Sequence, residues 1–323
     1  MHSLPISLVK ALGVLVNFFV SKETLEHEFM SNNHNGCKPP HFKYNFAAKM
    51  KRRLMATIGE RWKRIKVPVL WLFAGVYLAV GIQSVNESSF ESDILKNIAQ
   101  QIQQRTQGRS EEVVVDTAVH MVHYLLERRS QILGGGQYNS FKAVNFHSSL
   151  QSFYIGTGAC GYFSMFAARV FTELGLPVKI VQQRSKGQYG AHITLIVGLE
   201  GGKRWVLVDP LYNHVFKTSN GALAGLEEVT QHWNQYQGQM PKNYNWDYNY
   251  QEGYRFTNWD KLGVVSRAAY RVGAVLFGER AMKQVCVRMW VIDPYKTQGI
   301  LAFLGLGLCL FGLAYECRWF QKK

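Results

Sequence analysis

Two stretches of the chain carry no charged side chain for about the length of a bilayer crossing. Val67 to Asn86 is one, almost wholly apolar as far as Ile82, and Thr297 to Tyr315 is the other. Each is near the ~20 residues that a helix needs to span the hydrocarbon layer. Between them the pattern becomes amphipathic. Val115, Val119, Val122, Leu125 and Leu126 recur at helical spacing after Ser110-Glu111-Glu112, which supplies a capping residue and early acids. Arg128 and Arg129 suit the far end of that helix, and Gly134-Gly135-Gly136 ends it. A second helix is expected over 161–174, with Phe163, Phe166, Ala167, Val170, Phe171 and Leu174 on one face and Gly175 and Pro177 as its stop. From Val178 the period changes to two, and strands follow.

Leu4 to Val20 is also apolar but is broken by Lys10. It reads equally as a third membrane segment, as an interfacial helix, or as sequence ahead of a later start at Met50 or Met55. Residues 21–66 read as a polar, mostly irregular tail, with loop signals at Asn32-Asn33-His34-Asn35-Gly36 and Pro39-Pro40. The pattern divides the chain into 1–66, a membrane helix 67–86, a domain 87–230, an aromatic-rich loop with amphipathic helices 231–296, a membrane helix 297–315 and a basic tail 316–323.

The formal net charge of +15 changes this picture only through its location. Lys22 to Lys66 holds 11 Lys/Arg against 4 Asp/Glu, and the cluster stops where the first apolar run begins. That is a juxtamembrane basic segment, not a nucleic-acid groove, which would interleave cations and aromatics through a folded domain. Arg318, Lys322 and Lys323 flank the second run. The excess of cations at cytoplasmic ends places both flanks inside and residues 87–296 outside the cytoplasm. Membrane lipid is thus an expected partner, and nucleic acid is not.

The five cysteines are odd in number and form no CxxC pair, so neither a disulfide framework nor a zinc knuckle is expected. Cys160 follows the glycine-rich Gly156-Thr157-Gly158-Ala159 and opens the second helix, where amides and dipole favour a thiolate. Taken by itself it reads better as a small buried residue that helps the helix pack. His192 begins an apolar strand, Ile193 to Leu199, and Asp209 ends the next, Trp205 to Asp209. A two-residue turn at Gly201-Gly202 would pair positions whose numbers add to 403. Position 209 then faces 194, and His192 and Asp209 become diagonal neighbours on one face. The carboxylate can there orient an imidazole that takes a proton from a thiol. The Cys160 amide is a natural oxyanion donor; Gln151 or Tyr154 upstream is a candidate for the second, although both read somewhat better as ordinary polar loop residues. His120, His123 and Asp116 have ligand-like spacing on one helix but no evident further ligand, so no metal or organic cofactor is expected.

The run Gly158-Ala159-Cys160-Gly161-Tyr162-Phe163-Ser164 with Leu174-Gly175-Leu176-Pro177-Val178-Lys179, then Gly190-Ala191-His192, then Trp205-Val206-Leu207-Val208-Asp209-Pro210, resembles the transglutaminase-like superfamily over about residues 110–215. The resemblance implies an α+β, papain-like domain with a helical lobe and an antiparallel sheet, here flanked by transmembrane helices. It implies catalysis by Cys160, His192 and Asp209 through a thioester. The expected substrate is a peptide, a protein or a cell-envelope polymer, and the expected activity a peptidase, an amidase or an acyl transferase, including transfer from a thioester donor. The alternative is a silent module that keeps the fold as a scaffold for assembly or export of a surface polymer. Residues 232–259, rich in Tyr and Trp, fit a loop packed over the domain or a glycan-binding flap, and 260–290 fit amphipathic helices on the membrane surface.

Overall fold

The computed structural model describes residues 42–129, 131, 148–154, 160–259 and 263–321. Leu4–Val20, Cys37, the glycines 134–136 and the loop 156–159 lie outside the described residues. The chain divides into two compact units, residues 1–66 and 67–323.

The first described helix, α1 (Phe42–Arg105), contains the first apolar run and extends well beyond it on both sides. Its start at Phe42 corrects the expectation of an irregular tail up to residue 66. Ala47, Ala48, Met50, Leu54 and Met55, together with the Lys and Arg of the basic cluster, are strong helix formers, so the segment that carries charge also carries helix propensity. α2 (Glu111–Glu127) begins after Ser110, which takes the N-cap position without a side-chain cap bond. Then come α3 (Ser149–Tyr154) and α4 (Cys160–Glu173). α4 ends as expected, with Gly175 at φ +77, a left-handed conformation suited to glycine.

A five-stranded antiparallel sheet follows, in the order β4-β3-β2-β1-β5. The strands are β1 (Val178–Ser185), β2 (Gln188–Leu199), β3 (Arg204–Asp209), β4 (His214–Val215) and, far along the chain, β5 (Tyr254–Arg255). β2 is central and buried continuously from His192 to Leu199, which its unbroken apolar run requires. The apolar face of α4 packs on the sheet: Phe166, Phe171, Ile180, Leu195 and Leu207 are all essentially inaccessible. Ser164, on α4, donates its hydroxyl to the Ile193 carbonyl at 2.7 Å and fixes the helix against the strand next to His192. The protein is therefore a mixed helical and antiparallel-sheet structure.

Between β3 and β5 lie α5 (Leu226–Gln231) and α6 (Trp233–Tyr236). After β5 come α7 (Val264–Phe277), α8 (Glu279–Gln284), α9 (Val287–Trp290) and α10 (Pro294–Gln321). α1 and α10 each contain a segment long and apolar enough to cross a membrane. They run antiparallel through small residues: Gly312 meets Leu70, Gly305 meets Tyr77, Gly81 meets Phe303, and Gly299 meets Ser84. Outward they present Trp71, Leu72, Leu304 and Phe311, all exposed. Where the pair joins the rest of the unit, Asp293 accepts from Ser88 at 2.8 Å and pairs with Arg169 of α4 at 3.4 Å.

Candidate active site

The β2–β3 register brings the site together. Leu195 pairs with Val208, Ile196 with Leu207 and Leu199 with Arg204. These are the pairs expected from the sequence, although the turn is longer. Glu200–Gly202 forms a short 3-10 turn, with Glu200, Gly201 and Gly202 all at positive φ. The connection from Leu199 to Arg204 remains centred between the two glycines, so its greater length leaves the register unchanged. At the opposite end of β2, Gln183 pairs with His192 but Arg184 pairs with Tyr189. The resulting bulge at Gly190-Ala191, with Gly190 at φ +81, sits immediately before His192 and sets the direction of its side chain.

His192 Nε2 and Asp209 Oδ2 lie 2.6 Å apart, and both side chains are inaccessible to solvent. Cys160, the first residue of α4, is 7% exposed. Burial by itself lowers the basicity of the imidazole. The charge and hydrogen bond of Asp209 outweigh this, and the Cys160 thiol adds to them, so His192 is raised to about 9. With Nε2 held by Asp209, Nδ1 is the other ring nitrogen, and it is buried with no hydrogen-bond partner among the described residues. His192 and Asp209 are thus directly paired, and the Cys160 thiol is near enough to His192 to add to its upward shift.

The segment expected to be a loop over the domain supplies the rest of the site. Tyr250, fully buried, donates its hydroxyl to Asp209 Oδ2 at 3.0 Å. Burial, and then the Asp209 charge, push its phenol well above the usual value, so it is a neutral donor. Tyr248 lies flat on the imidazole, with centroids 4.3 Å apart and planes 6° apart. Tyr244 steadies it by donating to the Tyr248 carbonyl at 2.7 Å. Tyr212, in the turn after Asp209, closes another side, its ring centroid 5.8 Å from His192. The sequence signalled this only as a cluster of aromatics, with no periodicity to say which of them turns inward.

Arg288 of α9 is a second addition. Burial lowers its pKa, while the thiols of Cys286 and then Cys160 act in the opposite direction, which puts the guanidinium within electrostatic reach of both sulfurs. It has no ion pair among the described residues. Gln183, opposite His192, gives its amide to Thr194 at 3.2 Å.

Other sequence candidates go elsewhere. Gln151 gives its amide to the Tyr295 hydroxyl at 2.8 Å, and the Tyr154 side chain is outside the described residues. His120 contacts Asn213, and His123 contacts the Pro210 carbonyl at 3.1 Å, bracing the turn that follows Asp209. Among the described residues no group of three or more His, Cys, Asp or Glu could hold a metal ion. Comparison of the chain with protein-family profiles, with characterised proteins and with solved structures gave no match.

Proposed function

We propose that the protein is a membrane-anchored, transglutaminase-like thiol enzyme that acts on amide bonds. The observation that carries this reading is the buried 2.6 Å pairing of His192 with Asp209, with the His192 pKa raised to about 9 by Asp209 and, to a lesser degree, by the Cys160 thiol. An imidazolium beside a thiol at a helix N-terminus favours the thiolate. In this reading the thiolate attacks the acyl carbonyl. As the tetrahedral intermediate collapses, the carbon–nitrogen bond breaks and His192 gives its proton to the leaving amine. A Cys160 thioester remains. Water, deprotonated by His192, hydrolyses it to a free acid in a peptidase or amidase; an amine acceptor gives a cross-linked product instead. Asp209 holds the imidazole orientation throughout. In this reading the Cys160 backbone N–H serves as one oxyanion donor. The substrate is a peptide, a protein or a cell-envelope polymer. The helices α1 and α10 anchor the domain, and the basic flanks put it outside the cytoplasm.

One observation favours the silent scaffold: His192 and Asp209 are wholly inaccessible and Cys160 nearly so. Site-resolved alkylation of the full-length protein in detergent separates the readings. Cys286, whose thiol burial pushes above its usual value, serves as the slow internal reference. The enzyme reading expects Cys160 to react much faster than Cys286 near pH 6, and His192→Ala to abolish the difference. Equal, slow reaction of both thiols would leave the scaffold as the better account.

A further inference from the structure

Where α1 and α10 meet the rest of the unit, three carboxylates gather around one buried guanidinium. Glu91 lies on α1, beyond the uncharged run that ends at Asn86, and is 5% exposed. Asp293 stands just ahead of α10 and is also buried. Glu173 is the last residue of α4. Arg169 of α4 is shared between two of them, 3.4 Å from Asp293 and 3.5 Å from Glu173. Glu91 takes a hydrogen bond from the Ser148 hydroxyl instead. The other charged groups nearby are Glu87 on α1, which opposes ionisation of Glu91, and Lys96 and Lys296, exposed along the adjoining groove. Lys96 pairs with Asp93.

These polar groups tie four helices together. Ser148, just ahead of α3, accepts from the Gln151 N–H at 3.1 Å, and the Gln151 amide donates to the Tyr295 hydroxyl of α10 at 2.8 Å. From α1, Ser88 donates to Asp293 at 2.8 Å and Ser92 to Glu173 at 3.2 Å. Asp293 also caps α10 by accepting from the Lys296 N–H at 2.8 Å. The pair α1 and α10 is thereby fastened to α3 and to α4, the helix that begins with Cys160. A carboxyl oxygen accepts from Ser148 whether Glu91 is neutral or ionised. What changes on ionisation is charge: a buried carboxylate then faces Asp293 without a cation of its own.

We propose that Glu91 makes this junction a proton-controlled latch, which holds α1 and α10 against α3 and α4 while Glu91 is neutral and loosens when Glu91 ionises. Burial raises the Glu91 carboxyl most; the Ser148 bond lowers it, Asp293 raises it again and Arg169 offsets part of that, leaving it at about 7. In an opened junction the carboxyl returns toward its ordinary 4.5. The closed form therefore binds more protons between those two values. Closure is strongest in acid, weakens as pH rises above 4.5, and levels off above about 7. The latch does not depend on the chemistry proposed for Cys160, although it acts on the helix that carries that thiol.

Hydrogen–deuterium exchange of the full-length protein in detergent, corrected for intrinsic exchange rates, tests this between pH 5 and pH 8. Protection of α3 and of the first turn of α10 should fall by up to about tenfold per pH unit and level off above about 7, with β2 as the reference for global unfolding. Glu91→Gln stays neutral and should keep its acid-level protection throughout. Asp293→Asn removes the repelling charge but keeps a capping oxygen, so its protection should level off at lower pH. Protection that is flat with pH in the wild type overturns the proposal, and so does a pH dependence that persists in Glu91→Gln. If Glu91→Gln loses protection in β2 as well, it has lost the fold, and Asp293→Asn decides: an unshifted profile there overturns the latch.

Discussion

The aromatic ring of Tyr248 lies parallel to the imidazole of His192, 4.3 Å away, and so covers one face of that ring. Desolvation is the largest influence on His192, and it acts against the charge. Tyr248→Ala lets water reach that face and relieves the penalty, so the His192 pKa should move above about 9. Histidine hydrogen–deuterium exchange followed by mass spectrometry reads the midpoint directly. A downward move would mean that the tyrosine face stabilises the imidazolium more than its bulk desolvates it.

Asp209→Asn removes the charge that raises His192 but keeps an oxygen for Tyr250. The histidine midpoint should fall below about 9, and alkylation of Cys160 near pH 6 should slow by about 100-fold or more, the usual scale for losing a positioned proton-transfer group. An unchanged alkylation rate would show that the thiol does not depend on the pair.

The same pair makes a pH-dependent contribution to stability. The folded-state pKa of His192 is above its unfolded value of ~6.5, so the folded protein binds more protons between that value and about 9. The stabilisation is complete below ~6.5 and is lost as pH rises through about 9. Thermal unfolding of the wild type and of His192→Gln in the same detergent should therefore differ most near pH 6 and converge toward pH 10. A gap that widens with pH would contradict this sign.

Arg288→Gln takes a cation away from the sulfur of Cys160 without adding bulk. Cys160 alkylation at neutral pH should slow several-fold, and raising the salt concentration should reduce the difference only weakly because the group is partly buried. The rate ratio between wild type and variant at low and high salt is the measurement.

In the helix pair, a Cβ at Gly305 would stand 2.8 Å from the Tyr77 ring. Gly305→Leu should force α1 and α10 apart and lower the thermal stability of the detergent-solubilised protein, whereas Gly307→Leu, where nothing lies within 4 Å, should leave it almost unchanged. Equal melting of the two variants would argue against close packing of the pair.

The parts of the site that could be read from sequence are those governed by short-range rules. Cys160 opens a helix because apolar residues recur at helical spacing after it. His192 and Asp209 share a face because strand side chains alternate and the register is set by the turn centre, which survives the longer turn at Glu200–Gly202. Tyr248, Tyr250 and Arg288 follow no such rule. Tyr250 reaches Asp209 across 41 residues, through short helices and irregular chain, and β5 is two residues long, too short to show alternation. Their places are fixed by tertiary packing. The helical start of α1 at Phe42 was obscured for another reason: the loop signals at Asn32–Gly36 and Pro39-Pro40 lie just ahead of it, while the basic residues that follow favour helix.

The shared oxygen of Asp209 also imposes an order of completion. Cys160, His192 and Asp209 are all synthesised before Tyr248 and Tyr250. A chain that stops near residue 240 has all three side chains but leaves Asp209 with one donor and the imidazole without its Tyr248 cover. A finished site therefore requires the downstream segment to return across β1 as β5 and lay its tyrosines down. The connection from Tyr236 to Tyr244 is what delivers the cover of the imidazole and the second donor of Asp209, so the surroundings of His192 depend on a segment that contains none of the three residues.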